Sequence, residues 1–267
     1  MATQLLMAKS PEEAVGAKNA SSVFLAGGTE VNRLGSDAAA AADTLISLKQ
    51  CAGLNKIEDA GSMVRIGAMC TFQQIVESEM VPAYLREAAL FMASRTKRNM
   101  ATIGGNIAAM RDDSYLLPVL YAVHAGLEVL RSSGADSMPI DSYIEAEEAE
   151  KDMLITAVCV PKDIKVVSKR YANTAQSHAV LTMSAALTED GMSLKGAVKN
   201  VGLLHFCDIE DKFRNDPETG EDEIIEMVRV CTGLHTADDM FGSDAYKRYL
   251  IGVTAFDLHR KLMGKEV

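Results

Sequence analysis

The sequence predicts an α+β protein in two successive parts, divided near residues 160 to 170. Short apolar runs alternate with capped helix starts in the first part, and a series of strands follows Met153. Two stretches of the same make-up, Phe24-Leu25-Ala26-Gly27-Gly28-Thr29-Glu30-Val31 and Ala101-Thr102-Ile103-Gly104-Gly105-Asn106-Ile107-Ala108, each set a glycine pair among apolar residues. A glycine pair lets the backbone take φ > 0 and turn N–H groups to one side. Each pair alone is equally compatible with an ordinary tight turn.

In chain order, Gln4 to Met7 reads as a short strand. Ser10-Pro11-Glu12-Glu13 supplies an N-cap, a proline at the first helical position and the acid of a capping box. Ser22 to Ala26 is a buried strand delivering the first glycine pair, and Asp43 to Leu48 is another strand. Leu54 to Glu58 and Met63 to Met69 flank Asp59-Ala60-Gly61-Ser62 as a hairpin. Thr71-Phe72-Gln73-Gln74 repeats the capping-box pattern, and Pro82 to Ala93 carries Leu85, Ala88, Ala89 and Met92 at helical spacing. The basic Ser94-Arg95-Thr96-Lys97-Arg98-Asn99 is either a solvated loop or charge placed beside an anion. Asp112 to His124 reads as a helix, and Leu127 to Arg131 with Met138 to Ile140 as a hairpin. Glu145 to Asp152 reads as a solvated acidic face.

The second part reads as strands at Leu154 to Val160, Lys165 to Tyr171, Ala179 to Leu187 and Met192 to Val201, with Asp190-Gly191 as a turn. Asp208 to Glu223, with Pro217 and Gly220, reads as a mobile connection. Helices follow near Ile224 to Cys231 and Ser243 to Lys261.

The chain has 267 residues, 48% hydrophobic and 24% charged, enough for a sizeable core and unlike a disordered protein. A net charge of -10 argues against nucleic acid and anionic membrane surfaces as partners. Cys51, Cys70, Cys159, Cys207 and Cys231 are scattered, with no disulfide framework and no iron–sulfur pattern, and His205-x-Cys207 is the only close pair of soft ligands. No metal site of its own is expected. The start lacks a signal-peptide pattern, and the apolar stretch Leu116 to Leu130 is broken by Pro118, His124, Gly126 and Glu128, so no membrane insertion and a cytoplasmic location are expected.

Backbone N–H groups from glycine turns can neutralise a diphosphate, each charge-assisted bond contributing about 1.5–3 kcal/mol. Neither stretch has the G-x-G-x-x-G of a Rossmann turn or the G-x-x-x-x-G-K-[ST] of a P-loop. The implied geometry is a ligand held between two subdomains that each give one loop.

Leu25-Ala26-Gly27-Gly28-Thr29-Glu30-Val31 and Thr102-Ile103-Gly104-Gly105-Asn106-Ile107-Ala108 resemble the two FAD loops of the FAD-binding medium subunit of molybdenum hydroxylases, the family of the xanthine dehydrogenase flavin part. Arg65-Ile66-Gly67-Ala68, Leu116-Leu117-Pro118-Val119-Leu120 and Ser243-Asp244-Ala245-Tyr246-Lys247-Arg248-Tyr249-Leu250 extend the resemblance over nearly the whole chain. Its look is nearest to the flavin subunits of bacterial purine-type hydroxylases.

The resemblance implies a two-subdomain FAD-binding fold of the vanillyl-alcohol oxidase (PCMH) type over residues 1–165, with subdomains about 1–53 and 54–165. A small C-terminal domain at 166–267 follows. It implies FAD as cofactor, with the pyrophosphate wrapped by Leu25 to Val31 and Thr102 to Asn106. Ile107 and Ala108 would lie near the flavin, Ile155 against the isoalloxazine and Lys169 near its polar edge. Lys169 reads equally well as a surface lysine on an edge strand. The family's Pro-containing turn ending in Asp is replaced by Met110-Arg111-Asp112-Asp113-Ser114-Tyr115, with Tyr115 at the Asp position. Either Asp112 or Asp113 substitutes, or that contact is lost, or the two merely cap the following helix.

No catalytic side chain is expected. The implied role is an oxidoreductase subunit for electron transfer, taking electrons from a 2Fe–2S small subunit beside a large subunit with the molybdenum cofactor. It would pass them to NAD(P), a quinone or another acceptor. The alternative is a structural subunit of the same fold that has lost FAD.

Overall fold

The computed structural model describes residues 4–32, 42–146 and 153–265. It is α+β, as expected, and divides into two compact units. One comprises Met1–Pro82, Ser94–Ala109 and His124–Lys162; the other comprises Ala83–Ala93, Met110–Val123 and Asp163–Val267. The acidic run ending at Asp152 lies mostly outside the described residues.

The first unit holds two sheets. Strands β1 (Gln4–Met7), β2 (Ser22–Leu25) and β3 (Thr44–Ser47) form a parallel sheet in the order β1-β3-β2. Helix α1 (Pro11–Gly16) connects the first two strands, and its start follows from Ser10, whose Oγ accepts the Glu13 N–H at 3.1 Å. Ala8, Ala14, Ile46, Leu48, Cys51, Leu54 and Leu154 make the core behind this sheet.

The second sheet is antiparallel: β4 (Ile57–Ala60), β5 (Met63–Gly67), β6 (Gly126–Arg131), β7 (Gly134–Pro139) and β8 (Leu154–Pro161) in the order β4-β5-β8-β6-β7. Gly61, at φ 75°, supplies the left-handed residue of the β4–β5 hairpin. Arg65 ties β5 to neighbouring β4 through Glu58 (3.1 Å) and, reaching across β8, to β6 through Glu128 (2.7 Å). β8 carries a bulge: Val129 pairs with Ile155 but Glu128 with Ala157, so Thr156 has no register partner on β6, although its hydroxyl donates to the Glu128 carbonyl at 3.1 Å.

Helices α2 (Phe72–Glu77), α4 (Arg95–Arg98), α5 (Ile103–Ala108) and α7 (Ile140–Glu145) complete this unit. The Thr71 capping box forms with both hydrogen bonds. The basic Ser94–Asn99 segment is a single capped turn of helix. Arg98 lies buried and donates Nε to Gln73 at 2.9 Å.

The second unit is built on an antiparallel sheet of β9 (Lys165–Tyr171), β10 (Leu181–Thr188), β11 (Gly191–Val198) and β12 (Gly202–His205), in the order β12-β11-β10-β9. Helices α3 (Ala83–Leu90), α6 (Leu117–Ala122), α8 (Cys207–Asn215), α9 (Glu221–Val230) and α10 (Asp244–Leu262) belong with it. Met183, Ala185, Leu194, Ile209, Phe213, Ile224, Ile251 and Leu258 share one core.

Three sequence expectations are corrected here. The polar run Asp208 to Glu223 is no mobile connection but contains α8 and the start of α9. Ile209 and Phe213 are one helical repeat apart and bury together, an apolar stripe too narrow to stand out in a charged stretch. The strand ending at Val201 stops at Val198, because Asn200 (φ 62°) and Gly202 (φ 123°) turn the chain back into β12. The helix expected from Asp112 begins only at Leu117, with Pro118 in its first turn.

Helix α10 fastens the irregular chain before it. Arg248 donates to the carbonyls of Val228 (3.1 Å), Cys231 (2.7 Å) and Leu234 (2.5 Å). Buried Lys247 donates to the Ala237 carbonyl (2.9 Å) and to Asp239 (2.5 Å), which also accepts from Asn200 at 2.6 Å. No helix of the described residues is long and apolar enough to cross a membrane.

The Lys247 hydrogen bond, against opposing desolvation and with help from Asn200 and the Phe241 N–H, holds the Asp239 carboxyl down from 3.8 to about 2. A carboxyl depressed on folding contributes stability that is complete above its unfolded value and lost as pH falls through the folded one. Asp239→Asn strands a buried ammonium and is expected to cost about 3 kcal/mol at neutral pH. The gap between wild type and variant in urea unfolding should narrow between pH 4 and pH 2; parallel curves over that range would remove Asp239 as the cause.

Candidate functional site

The first glycine stretch leaves the C-terminal end of β2 at Leu25. Gly28 takes φ 74°, and the chain closes a turn in which the Asn32 N–H donates to the Gly28 carbonyl at 3.0 Å. The backbone N–H groups of Gly27, Gly28, Thr29 and Val31 have no protein acceptor among the described residues. A row of unused donors on a glycine turn is the arrangement that accepts an oxyanion. Gly27 is required for a different reason. A Cβ there would stand 1.7 Å from the Met100 carbonyl oxygen, so the turn lies directly on the backbone leading into the second stretch.

The second stretch departs from expectation. Thr102–Ile107 is the start of α5 rather than an open turn, and neither Gly104 nor Gly105 has positive φ. Its N–H groups are already used: Ile103 donates to Cys70 (3.0 Å), Gly104 to Ala68 (2.9 Å), Gly105 to the Thr102 Oγ1 (3.2 Å) and Asn106 to Thr102 (2.9 Å). Gly104 is there for space, since a Cβ would sit 2.6 Å from the Ala68 Cβ. This stretch is a wall pressed close to its neighbours, while the first provides the donors. Asn106 is half-buried and Ile107 fully buried, whereas Ala108 is exposed.

The wall is fixed from below. The Thr156 carbonyl at the β8 bulge accepts the Ala68 N–H at 2.9 Å, and the Ala68 carbonyl accepts from Gly104. Thr71 and Thr102 form a further antiparallel bridge. Ile155, next to the bulge, is 5% exposed. Leu25–Val31, Thr102–Ile107 and Ile155 therefore all belong to the first unit.

Asp113 and Lys169 belong to the second unit. Asp113 is buried and fully engaged: Arg111 grips it with two bonds of 2.7 Å, His178 approaches at 2.7 Å and Lys199 at 3.5 Å. Burial opposes its ionisation, but Arg111, Lys199 and His178 outweigh burial and hold the carboxyl below its usual value. Asp112 accepts from Lys199 (2.7 Å) and the Asn200 N–H (2.8 Å) rather than capping a helix. Tyr115, half-buried, lies against Arg170.

Lys169 is on edge strand β9 yet is not a free surface lysine, for its Nζ reaches Asp257 on α10 at 2.5 Å. Desolvation lowers its proton affinity, but Asp257 and Tyr171 together raise it above the ordinary value. Sequence reasoning did not single out Met100, Thr156 or Asp257, and named Ala68 only within the stretch Arg65 to Ala68, with no role. Met100, Ala68 and Thr156 act through backbone atoms that no side-chain pattern reveals.

A family model described as the FAD binding domain in molybdopterin dehydrogenase matches residues 1–163. Protein YgfM of Escherichia coli K12 is 33% identical over 247 residues, covering 89% of this chain and 86% of YgfM. The carbon monoxide dehydrogenase medium chain of Afipia carboxidovorans is 29% identical over 176 residues, 60% of this chain and 61% of that one. Among solved structures, carbon monoxide dehydrogenase from Hydrogenophaga pseudoflava superposes with a TM-score of 0.85 at 21% identity, covering 98% of each chain, a likeness of fold. A two-sheet first unit with a donor-lined glycine turn, matched over its length by that model, thus places the chain in the family of FAD-binding domains of molybdopterin dehydrogenases.

Proposed function

We propose that this chain binds FAD and serves as the electron-transfer subunit of a molybdenum hydroxylase complex. The carrying observation is the set of N–H donors on Gly27, Gly28, Thr29 and Val31 that have no acceptor among the described residues, on a turn packed against the Met100 carbonyl. Those donors suit a diphosphate, and no ammonium or guanidinium is needed to trap it. Leu25 to Val31 would hold the pyrophosphate through backbone atoms, with Thr102 to Ile107 as the opposing wall and Ile155 as an apolar support. Bound FAD supplies exchange between one-electron donors and two-electron acceptors.

The remaining work falls to the chain's own groups. Ile103, Ile107 and Ile155 exclude water by burial. Lys169, in the second unit, carries a positive charge that Asp257 partly neutralises. Electrons would enter from a 2Fe–2S small subunit, and a large subunit would carry the molybdenum cofactor. The likeness to the carbon monoxide dehydrogenase medium chain supports this division. The acceptor would be NAD(P), a quinone or another carrier.

A second reading, a structural subunit of the same fold without FAD, draws on one observation. Asp113 is saturated by its own cations and Tyr115 leans on Arg170, leaving neither as a carboxylate for the cofactor.

The purified protein is expected to be yellow and to release intact FAD on denaturation. Gly28→Ala, which forces a Cβ into a left-handed turn at a cost of about 1–2 kcal/mol, should lower flavin content. A colourless protein that cannot be reconstituted would overturn the FAD reading in favour of the structural one. Asp257→Asn, which releases the Lys169 charge, should raise the midpoint potential of the bound flavin; an unchanged potential would place Lys169 away from it. Isolation from the native source should bring a molybdenum subunit and a 2Fe–2S subunit, whereas a chain that always isolates alone contradicts the complex.

A further inference from the structure

We infer that Arg170, laid on Tyr115 in the second unit, is the receptor for an oxyanion, a phosphate or carboxylate group brought by a ligand. Arg170 stands on β9 with its guanidinium carbon 5.3 Å from the centre of the Tyr115 ring. One arm, Nη2, donates to the Ser177 carbonyl. Its Nε is buried and has no hydrogen-bond partner, and no carboxylate among the described residues pairs with it. A guanidinium held beside an aromatic ring, by the phenol of that ring and by one carbonyl, has lost much of its rotamer freedom already, so a ligand need not supply that ordering.

The surroundings favour an anion. Two carboxylates, Asp112 and Asp113, face the fixed cations Arg111 and Lys199, with His178 on the same carboxylate. Those charges balance without Arg170, which is therefore the surplus cation of the cluster. The Tyr115 phenol marks the junction: burial pushes it up, Arg170 pulls it down through charge and a hydrogen bond, and Asp113 and Arg111 act on it as well. The phenol stays protonated at neutral pH and can donate to the same oxyanion. The chain as a whole carries a net charge of -10, so attraction of an anion here is local rather than a property of the overall field.

This inference stands apart from the FAD reading, because an oxyanion can be measured on protein without flavin. Its source is a separate anionic molecule, since the dinucleotide's diphosphate is assigned to Leu25–Val31 in the first unit. In isotope-labelled full-length chain, the Arg170 Nε–H resonance is assigned through its backbone and followed during addition of inorganic phosphate at constant ionic strength. It should shift along a saturation curve, while that of Arg214, exposed and paired with Asp211, should not. Tyr115→Phe keeps the ring, removes the phenol donor and should weaken the response roughly threefold. A resonance that ignores phosphate, or drifts linearly in step with Arg214, overturns the site. In flavin-loaded protein the phosphate response should be retained, and its loss would overturn a site for a separate anion. Protein that cannot be loaded leaves the phosphate titration as the deciding measurement.

Discussion

Backbone packed on backbone is the constraint on which the rest of the first unit depends. At Gly27 the chain meets the Met100 carbonyl, and at Gly104 it meets Ala68, with no room for a single methyl group at either contact. Two sheets of different construction, one parallel and one antiparallel, are joined at these points through main-chain atoms. That arrangement explains why the two glycine pairs differ in role despite similar sequence. One pair shapes a turn that keeps donors available, and the other lets a helix sit flat on its support. Side chains of any size at these positions would separate the two stretches, and the turn would lose the surface that orders it.

The second unit is held by a different kind of interaction. Its irregular segments are fixed by buried or half-buried charges with named partners: Arg111 with Asp113, Lys199 with Asp112, Lys247 with Asp239, Lys195 with Glu210. Each pair carries a desolvation cost, so its value lies in fixing one arrangement of chain rather than in raw stability. Arg170, beside the Asp112 and Asp113 cluster, is not part of this pairing: its buried Nε has no partner among the described residues, as is also true of Arg86.

Much of this was legible in the residues. Ser10, Thr71 and Ser243 marked helix starts that the structure repeats with the expected hydrogen bonds. The series of strands read after Met153, followed by helices, is found as a sheet followed by helices. The two glycine stretches led to a proposed diphosphate site, of which only the first keeps unused N–H donors among the described residues. What escaped had common physical causes. Whether a glycine serves for φ or for space depends on what packs above it, and Ala68 and Met100 are distant in sequence. Charge clusters such as Asp113 with His178 join residues on separate elements, so spacing alone could not pair them. Helix α8 escaped because Ile209 and Phe213 supply its whole apolar face on the core.

The bulge at Thr156 gives β8 two different alignments with its two neighbours. Toward β6 the residue is surplus, since Val129 and Glu128 pair on either side of it. Toward β5 it is the acceptor that seats Ala68. A chain shorter by this one residue could keep its full ladder with β6, and Ile155 would then face Ala68 in its place. The parity of a central strand is thus set by the position of a turn at the edge of the candidate site, and length variation at that residue would be felt there rather than in the sheet.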